Sequence, residues 1–270
     1  MIDTLYTIVD KMASKDGISK DQFIQKCKEC SLIIDDSEYD LAIDFIEHNG
    51  VSTLVKEGRI YTKSRFEHYK NDTYCIVDIE TNGNTPQTAQ VIEIGAIKYK
   101  NGKIVDRFES FVFCDFIPEY IEKITHISKN DLKNAPKLKS VLLEFKLFLS
   151  DSIFVAHNVR FDYNFISQSF KKFNIPEMLN RRLCTIDLAK KTIESEKYGL
   201  SFLKEKLSID IENHHRAYAD AMSALEVFKI SLQNIPDEVE TTEDLILFSN
   251  PSRKKKSKKR KKERHQKSLL

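Results

Sequence analysis

The sequence has no long apolar run. No stretch of about 18 consecutive apolar residues occurs anywhere in the 270 residues, so no transmembrane helix is predicted. The N-terminus carries acidic residues early and has no apolar segment of the kind found in secretory signal peptides. We therefore expect a cytoplasmic protein without a membrane partner.

The cysteines do not form a disulfide pattern. Their number is odd and their spacing irregular, which argues against a disulfide framework and favours a reducing compartment. Cys27 and Cys30 form a Cys-x-x-Cys pair, but no second pair of Cys or His follows at the spacing of a zinc site. A metal or redox role for this pair is therefore disfavoured.

The charge is distributed unevenly along the chain. From Pro251 onward there are 11 Lys and Arg residues and one acid, Glu263, which leaves 32 bases and 40 acids in the preceding 250 residues. This asymmetry excludes a uniformly basic nucleic-acid binder, and it allows an acidic site that recruits metal beside a separate cationic arm. We expect the tail 251–270 to be disordered and to add salt-sensitive, non-specific affinity for nucleic acid.

Residues 1–70 are predicted to form a small helical unit with a β-hairpin. Ser19 followed by Gln22 indicates the start of a second helix, and Ser37 is a candidate cap for a third. Three helices and a hairpin suggest a winged-helix-like shape. The segment has 10 bases and 13 acids, a net charge of −3, which favours docking to a protein over binding to DNA.

Residues 72–234 are predicted to form the main α/β domain, followed by an acidic linker at 235–250. Asn101-Gly102 is a strong signal for a type I′ hairpin between two apolar runs. A hairpin followed by alternating helices and strands predicts a mixed sheet flanked by helices. The predicted strands are Tyr74–Asp78, Val91–Tyr99, Lys103–Phe113 and Ile153–Ala156, and the predicted helices are 137–149, 162–173, 185–194 and 216–233.

Three motifs contain acidic side chains that are candidates for a catalytic or metal-binding site. Asp78 and Glu80 lie two residues apart at the end of a strand and so share one face, where two desolvated carboxylates are costly unless a cation lies between them. Asp162 follows a buried strand, where it could also serve only the helix dipole. Asp220 lies one turn into an Ala-rich helix, and His215 precedes that helix, where it could simply cap it.

Together these motifs resemble those of the DnaQ-like (DEDDh) 3′→5′ exonuclease family, and most of all the proofreading epsilon subunits of bacterial DNA polymerase III. The matching runs are Asp78-Ile-Glu80, His157-Asn158-Val-Arg-Phe161-Asp162 and His215-Arg-Ala-Tyr-Ala-Asp220. The likeness extends from about Tyr74 to Leu232 and implies an RNase H-like fold. The family has Thr-Thr-Gly after the Asp-x-Glu pair, whereas this chain has Thr81-Asn82-Gly83.

The resemblance also implies a mechanism and a substrate. It implies two divalent cations, Mg²⁺ or Mn²⁺, with Asp78 bridging both, Glu80 and Asp220 on the first and Asp162 on the second. It makes His215 the general base, His157 a support for the site, and Thr81, Asn158 and Phe161 candidates for substrate contact. The expected substrate is a single-stranded or frayed DNA 3′ end in replication proofreading, with a polymerase subunit as a possible partner.

Two rival functions remain open at this point. The first is an RNA-trimming exonuclease of the same family, because the same metals cleave both nucleic acids. The second is a non-enzymatic adapter with a degenerate nuclease domain, which the presence of all five catalytic positions disfavours.

One further motif lies within the expected linker. The run Asp244-Leu245-Ile246-Leu247-Phe248 resembles the Gln-Leu-x-Leu-Phe peptide by which bacterial proteins bind the replication sliding clamp. An extended segment with Leu and Phe anchors suits a groove on such a partner. The alternative is a short apolar cluster that docks back on the domain.

Overall fold

The computed structural model describes residues 2–211 and 215–250. The basic tail expected at 251–270 lies outside the described residues. Within the described ranges, no helix combines the length and the apolar composition that a membrane span needs.

The N-terminal unit contains three helices and a small antiparallel sheet. Its elements are α1 Ile2–Met12, β1 Ile18–Ser19, α2 Lys20–Glu29, α3 Tyr39–His48, β2 Thr53–Lys56 and β3 Arg59–Thr62. The strands lie in the order β1-β3-β2. Ser19 caps α2, since its hydroxyl accepts a hydrogen bond from the Gln22 amide at 3.3 Å. The predicted three helices and hairpin are therefore present, and the winged-helix interpretation stays a prediction.

The expected cap at Ser37 is wrong. Ser37 lies inside a short 3-10 turn at Asp36–Glu38 that precedes α3, and its amide donates to the Asp35 side chain at 2.8 Å. Glu38 in turn accepts from the Asp35 amide, so Asp35 and Glu38 form a capping box. Asp35 thus caps the 3-10 turn that leads into α3, and α3 itself begins at Tyr39 without a side-chain cap.

The main domain is built on a five-stranded mixed sheet. Its elements are β4 Tyr74–Thr81, β5 Val91–Lys100, β6 Lys103–Phe111, α4 Glu119–Thr125, α5 Lys129–Leu132, α6 Leu138–Leu149, β7 Ile153–Ala156, α7 Val159–Lys172, β8 Arg182–Cys184, α8 Thr185–Thr192, α9 Leu200–Lys206, α10 Ala217–Leu232 and α11 Thr242–Ser249. The strand order is β6-β5-β4-β7-β8, with β5 antiparallel to β4 and to β6, and β7 parallel to β4 and to β8. The predicted mixed sheet flanked by helices is confirmed.

The alternation of side chains along β4 separates two apolar cores. Cys75, Val77 and Ile79 pack in one core with side chains of α6 and α7. Tyr74 and Ile76 pack in another core with side chains of α8 and α10. Because successive side chains of a strand point to opposite faces, Asp78 and Glu80 share the face that α10 covers.

The segment expected to be an acidic linker instead contains a packed helix. Thr241 caps α11 by accepting from the Asp244 amide, and Leu245 is fully buried. Two acids of this segment have cationic partners, since Asp244 pairs with Arg65 at 2.7 Å and Glu243 pairs with Arg181 at 2.8 Å. Residues 242–249 therefore dock on the domain and contact the N-terminal unit.

Arg181 joins three parts of the chain through one guanidinium group. It donates to both carboxylate oxygens of Glu243 at 2.8 Å and to Asp10 of α1 at 2.6 Å. Glu243 is only 1% exposed and also accepts from the Ser64 hydroxyl at 2.8 Å. Such a bidentate pair has strong directional preferences, so it fixes α11 relative to both units.

We predict that Arg181→Met destabilises the chain by about 3–5 kcal/mol, because the buried Glu243 carboxylate loses its compensating charge. The measurement is urea unfolding followed by circular dichroism. Lys123→Met is the matched control, since it removes an exposed ion pair with Glu119 and should cost less than about 1 kcal/mol. Equal free energies of unfolding for the two variants would contradict the role assigned to Arg181.

Candidate active site

Three carboxylates converge between the sheet and α10. Asp78 and Glu80 come from β4, and Asp220 comes from the first turn of α10. One carboxylate oxygen from each lies within 4.8 Å of the other two. The predicted acids of the first and third motifs are therefore brought together, on the sheet face identified above.

Alanines allow α10 to bring Asp220 close to the sheet. Ala217 and Ala221 are fully buried and Ala224 is almost so. Their small side chains let the helix approach β4 and β5 closely, and Asp220 itself is only 6% exposed. The composition of this helix thus serves the site as well as the core.

Asp162 approaches the same site from α7. Asn158 adopts a left-handed backbone conformation, φ 85°, where the chain leaves β7 and begins α7. Asp162 follows in the first turn of α7 and is 3% exposed. Its charge raises the pKa of Asp78, which indicates that the second motif also faces the cluster.

Asp78, Glu80 and Asp162 each have a raised pKa. Burial, followed by the charges of Asp162 and Glu80, raises the pKa of Asp78 well above its ordinary value. Burial and then the charge of Asp220 raise the pKa of Glu80 to about 8. Burial raises the pKa of Asp162 to about 8. A divalent cation would offset this repulsion, and hard carboxylate oxygens are the donors that Mg²⁺ and Mn²⁺ prefer.

The two histidines of the motifs have different surroundings. His157 is held at both ring nitrogens, with Nε2 donating to the Tyr198 carbonyl at 2.9 Å and Nδ1 bonded to the Thr185 hydroxyl at 2.8 Å. Burial lowers the pKa of His157 to about 4, so its ring is neutral near pH 7. His215 lies two residues before α10, is half-buried, and has a left-handed backbone conformation with φ 63°.

The residues predicted to contact substrate are Thr81, Asn158 and Phe161, and they follow or precede the predicted acids closely in the chain. Thr81 ends β4, is largely buried, and donates its hydroxyl to the Gly83 carbonyl at 2.8 Å. Asn158 is exposed, and its side chain makes no capping hydrogen bond at the start of α7. Phe161 is 36% exposed and packs against Phe165 at a ring distance of 5.6 Å, so it is not a core phenylalanine.

Asn82 has a structural role that the sequence did not predict. Its amide nitrogen donates to the Phe116 carbonyl at 3.0 Å, and its carbonyl oxygen accepts from the Gln90 amide at 2.7 Å. It therefore ties the chain just after β4 to the segments at Gln90 and Phe116.

Glu93 and Arg216 adjoin the site, and neither was among the predicted site residues. Glu93 faces Glu80 across the β4–β5 pair, and Arg216 donates to it at 2.8 Å. The available signal was an acid inside the apolar run Val91-Ile92-Glu93-Ile94, since a buried carboxylate needs a partner.

Residues 75–228 match the model of the RNase_T exonuclease family, which is more than half of the chain. The chain belongs to the RNase_T exonuclease family. The predicted likeness to DnaQ-like exonucleases is thereby confirmed.

This chain is similar to part of a much longer bacterial polymerase. It is 37% identical over 188 residues to the PolC-type DNA polymerase III of Staphylococcus haemolyticus (strain JCSC1435), covering 68% of this chain and 13% of that protein. It is 39% identical over 162 residues to the protein of the same name from Staphylococcus saprophyticus, covering 59% of this chain and 11% of that one. The chain thus spans about an eighth of the length of these relatives.

Solved nuclease structures share the fold. The zinc-bound form of the Escherichia coli exonuclease I complex with single-stranded DNA has a TM-score of 0.56 and 18% identity, covering 62% of this chain and 42% of that one. Cell-death related nuclease 4 has a TM-score of 0.54 and 17% identity, covering 62% of this chain and 66% of its own.

We predict that the metal-free exonuclease becomes less stable as the pH rises from about 5 to about 8. In this window the folded chain holds protons on Glu80 and Asp162 that the unfolded chain, with ordinary pKa values near 4, has released. The folded state therefore binds more protons, and its stability falls with pH.

Thermal unfolding of the chelated protein at several pH values is the measurement. Asp78→Asn should unfold at a higher temperature than the wild type at pH 8 and show a flatter pH dependence, because one charge has left the cluster. Asp106→Asn, which changes an exposed acid of β6, should follow the wild type. A wild-type melting temperature that exceeds that of Asp78→Asn at pH 8 would contradict the electrostatic account.

Proposed function

We propose that this chain is a metal-dependent 3′→5′ exonuclease that hydrolyses phosphodiester bonds at DNA 3′ ends. The observation that carries the proposal is the convergence of Asp78, Glu80 and Asp220 within 4.8 Å. The raised pKa values of Asp78 and Glu80 support it, because an acidic cluster of this kind is costly to hold together without a cation. Membership of an exonuclease family gives the class of reaction.

The donor set fits two divalent cations, Mg²⁺ or Mn²⁺. Asp78 would be shared between them, Glu80 and Asp220 would hold the first, and Asp162 would hold the second. Bound there, such ions supply the positive charge that an anionic phosphodiester needs before hydroxide can attack it. All four side chains belong to regular elements, β4, α7 and α10, which suits a site that must hold its geometry.

His215 is the proposed general base for the attacking water. Its position two residues before α10 places it at the same helix end as Asp220. An imidazole titrates near neutral pH, so it can accept a proton in the range where the reaction runs. His157 has a different role in this proposal, because both of its nitrogens are already bonded and it supports the end of β7.

The substrate end is proposed to be a single-stranded or frayed DNA 3′ terminus. Thr81 directly follows Glu80 in the chain, Asn158 and Phe161 shortly precede Asp162, and Phe161 offers an exposed ring for stacking on a base. The similarity to a PolC-type DNA polymerase III supports a proofreading role beside a polymerase, in the cytoplasm. The exonuclease I complex with single-stranded DNA shows that the fold accommodates such a strand in that protein.

Clamp binding by residues 244–248 and nucleic-acid binding by the tail remain parts of the proposal. Helix α11 buries Leu245 and pairs Asp244 with Arg65, so clamp binding requires this helix to leave its packed position. Clamp binding is tested by measuring direct binding of the chain to a purified sliding clamp. Nucleic-acid binding by the tail is tested by comparing the salt dependence of DNA binding before and after truncation at Asn250.

We predict that Asp78→Asn, Asp162→Asn and Asp220→Asn each lower nuclease activity at least about 10³-fold, because each removes a proposed metal ligand. The assay uses DNA and RNA oligonucleotides labelled at the 5′ end, so that digestion from the 3′ end gives a ladder. Chelator should abolish activity, and added Mg²⁺ or Mn²⁺ should restore it.

The matched control is Asp106→Asn, which makes the same chemical change on the exposed surface of β6 and should remain active. Full activity of Asp78→Asn, or of chelated wild type, would refute the metal-dependent mechanism. Release of single nucleotides from the 5′ end would refute the polarity, and faster digestion of RNA than of DNA would favour the RNA-trimming rival.

We predict that the rate rises with pH between about 5.5 and 7.5, because only neutral His215 can accept a proton from water. His215→Gln should be about 10²–10⁴-fold slower and lose this rise. His48→Gln, on the exposed side of α3, is the control and should keep the wild-type profile. Parallel profiles for wild type and His215→Gln would mean that another group is the base.

A further inference from the structure

Glu93 is a buried acid beside the proposed metal ligands. It is 1% exposed and faces Glu80 directly across the β4–β5 pair. Its β5 neighbour on the same face is Gly95, which faces Asp78. Because side chains alternate along a strand, Glu93 lies on the face that α10 covers, so it is placed to act on α10 and on the cluster together.

The Glu93 carboxylate is saturated with hydrogen bonds from the start of α10. Arg216 donates from Nη2 to Oε1 at 2.8 Å and from Nε at 3.2 Å, and the Ala217 amide donates to Oε2 at 3.0 Å. The Arg216 side chain makes no capping hydrogen bond at the helix start, so the cap of α10 comes from a neighbouring strand instead. The Arg216 guanidinium also lies over the Phe111 ring at 4.9 Å, which fixes its orientation.

Gly95 holds the same helix end at a second point. A Cβ atom at Gly95 would lie 2.2 Å from the Tyr218 nitrogen, so only glycine allows this approach of helix to strand. The backbone of α10 at Ala217 and Tyr218 is therefore seated directly on β5. Together with the Glu93 hydrogen bonds, this contact sets where the first turn of α10 lies.

Two proposed functional side chains flank this anchored segment. His215 comes one residue before Arg216, and Asp220 comes three residues after Ala217. A shift of the helix start would move Asp220 relative to Asp78 and Glu80, which belong to a different element. The Arg216 charge also acts on the cluster, because it lowers the pKa of Glu80 against the larger raising effects of burial and the neighbouring acids.

We propose that Glu93 is a positioning residue of the exonuclease site: paired with Arg216, it seats the start of α10 so that Asp220 completes the metal-binding cluster. This inference rests on the proposed function. Glu93 also occupies the Arg216 guanidinium, which would otherwise compete with a cation for Glu80. A purely structural ion pair would stabilise the fold and leave the metal affinity of the folded chain unchanged.

The test compares the affinity for Mn²⁺ of the wild type, Glu93→Gln and Glu109→Gln. The free ion is quantified by electron paramagnetic resonance. Glu93→Gln removes the charge and keeps the approximate shape of the side chain. We expect it to weaken Mn²⁺ binding about 10–100-fold, as is typical when a group that orients metal ligands is changed. The kcat should fall while the KM for DNA stays near the wild-type value, because Glu93 is only 1% exposed and is too buried to contact DNA.

Glu109→Gln is the matched control, since Glu109 is an exposed acid on β6 that also acts electrostatically on Arg216. It should bind Mn²⁺ as the wild type does. The proposal would be overturned if folded Glu93→Gln bound Mn²⁺ with an affinity within about twofold of the wild-type value. This holds whatever the melting temperature of the variant in chelator. Equal weakening in both variants would overturn it as well.

Glu93→Asp keeps the inference testable if Glu93→Gln does not fold. It retains the charge but shortens the side chain, so the carboxylate cannot hold Arg216 and the Ala217 amide as before. We expect Glu93→Asp to bind Mn²⁺ more weakly than the wild type and, where both variants fold, more tightly than Glu93→Gln. An affinity equal to that of the wild type would overturn the proposal.

The same measurements separate failure of the positioning role from failure of the proposed function. If the wild type itself binds no Mn²⁺ and degrades no DNA, the proposed function fails. If the wild type does both and the Glu93 variants match it, only the positioning role fails.

Discussion

Mutual repulsion among carboxylates that are partly or fully buried is the constraint on which the rest of this structure depends. Asp78 and Glu80 share one face of β4, and Asp220 is brought against them from α10. Burial and neighbouring charges raise the pKa values of Asp78 and Glu80, so the metal-free site is held together against its own electrostatics. The apolar cores on both faces of the sheet must provide the free energy that keeps these elements in place.

The fold meets this constraint by dividing the acids among regular elements, β4, α7 and α10. The strand period of two puts Asp78 and Glu80 on the α10 face while Val77 and Ile79 fill the opposite core. The alanines of α10 allow close approach, and Glu93 and Arg216 form a neutral pair beside the acids. Glu93 thus adds no uncompensated negative charge to a region that already holds several.

Much of this domain could be predicted because its signals are local. The hairpin at Asn101-Gly102 and the shared face of Asp78 and Glu80 follow from backbone geometry over a few residues. The partnership of Glu93 with Arg216 could not be predicted, because it joins residues 123 positions apart and depends on how α10 crosses the sheet. Helix α11 could not be predicted to pack on the domain either, because the partners of Glu243 and Asp244 lie far away in the chain.

The central claim is that Asp78, Glu80, Asp162 and Asp220 form a divalent-metal site. Diffraction from crystals soaked in Mn²⁺, measured where manganese scatters anomalously, tests it most directly. The account predicts anomalous density between Asp78, Glu80 and Asp220, with a second peak on the Asp162 side of Asp78. Soaked crystals that show manganese only elsewhere on the surface, with these four carboxylates unliganded, would contradict it.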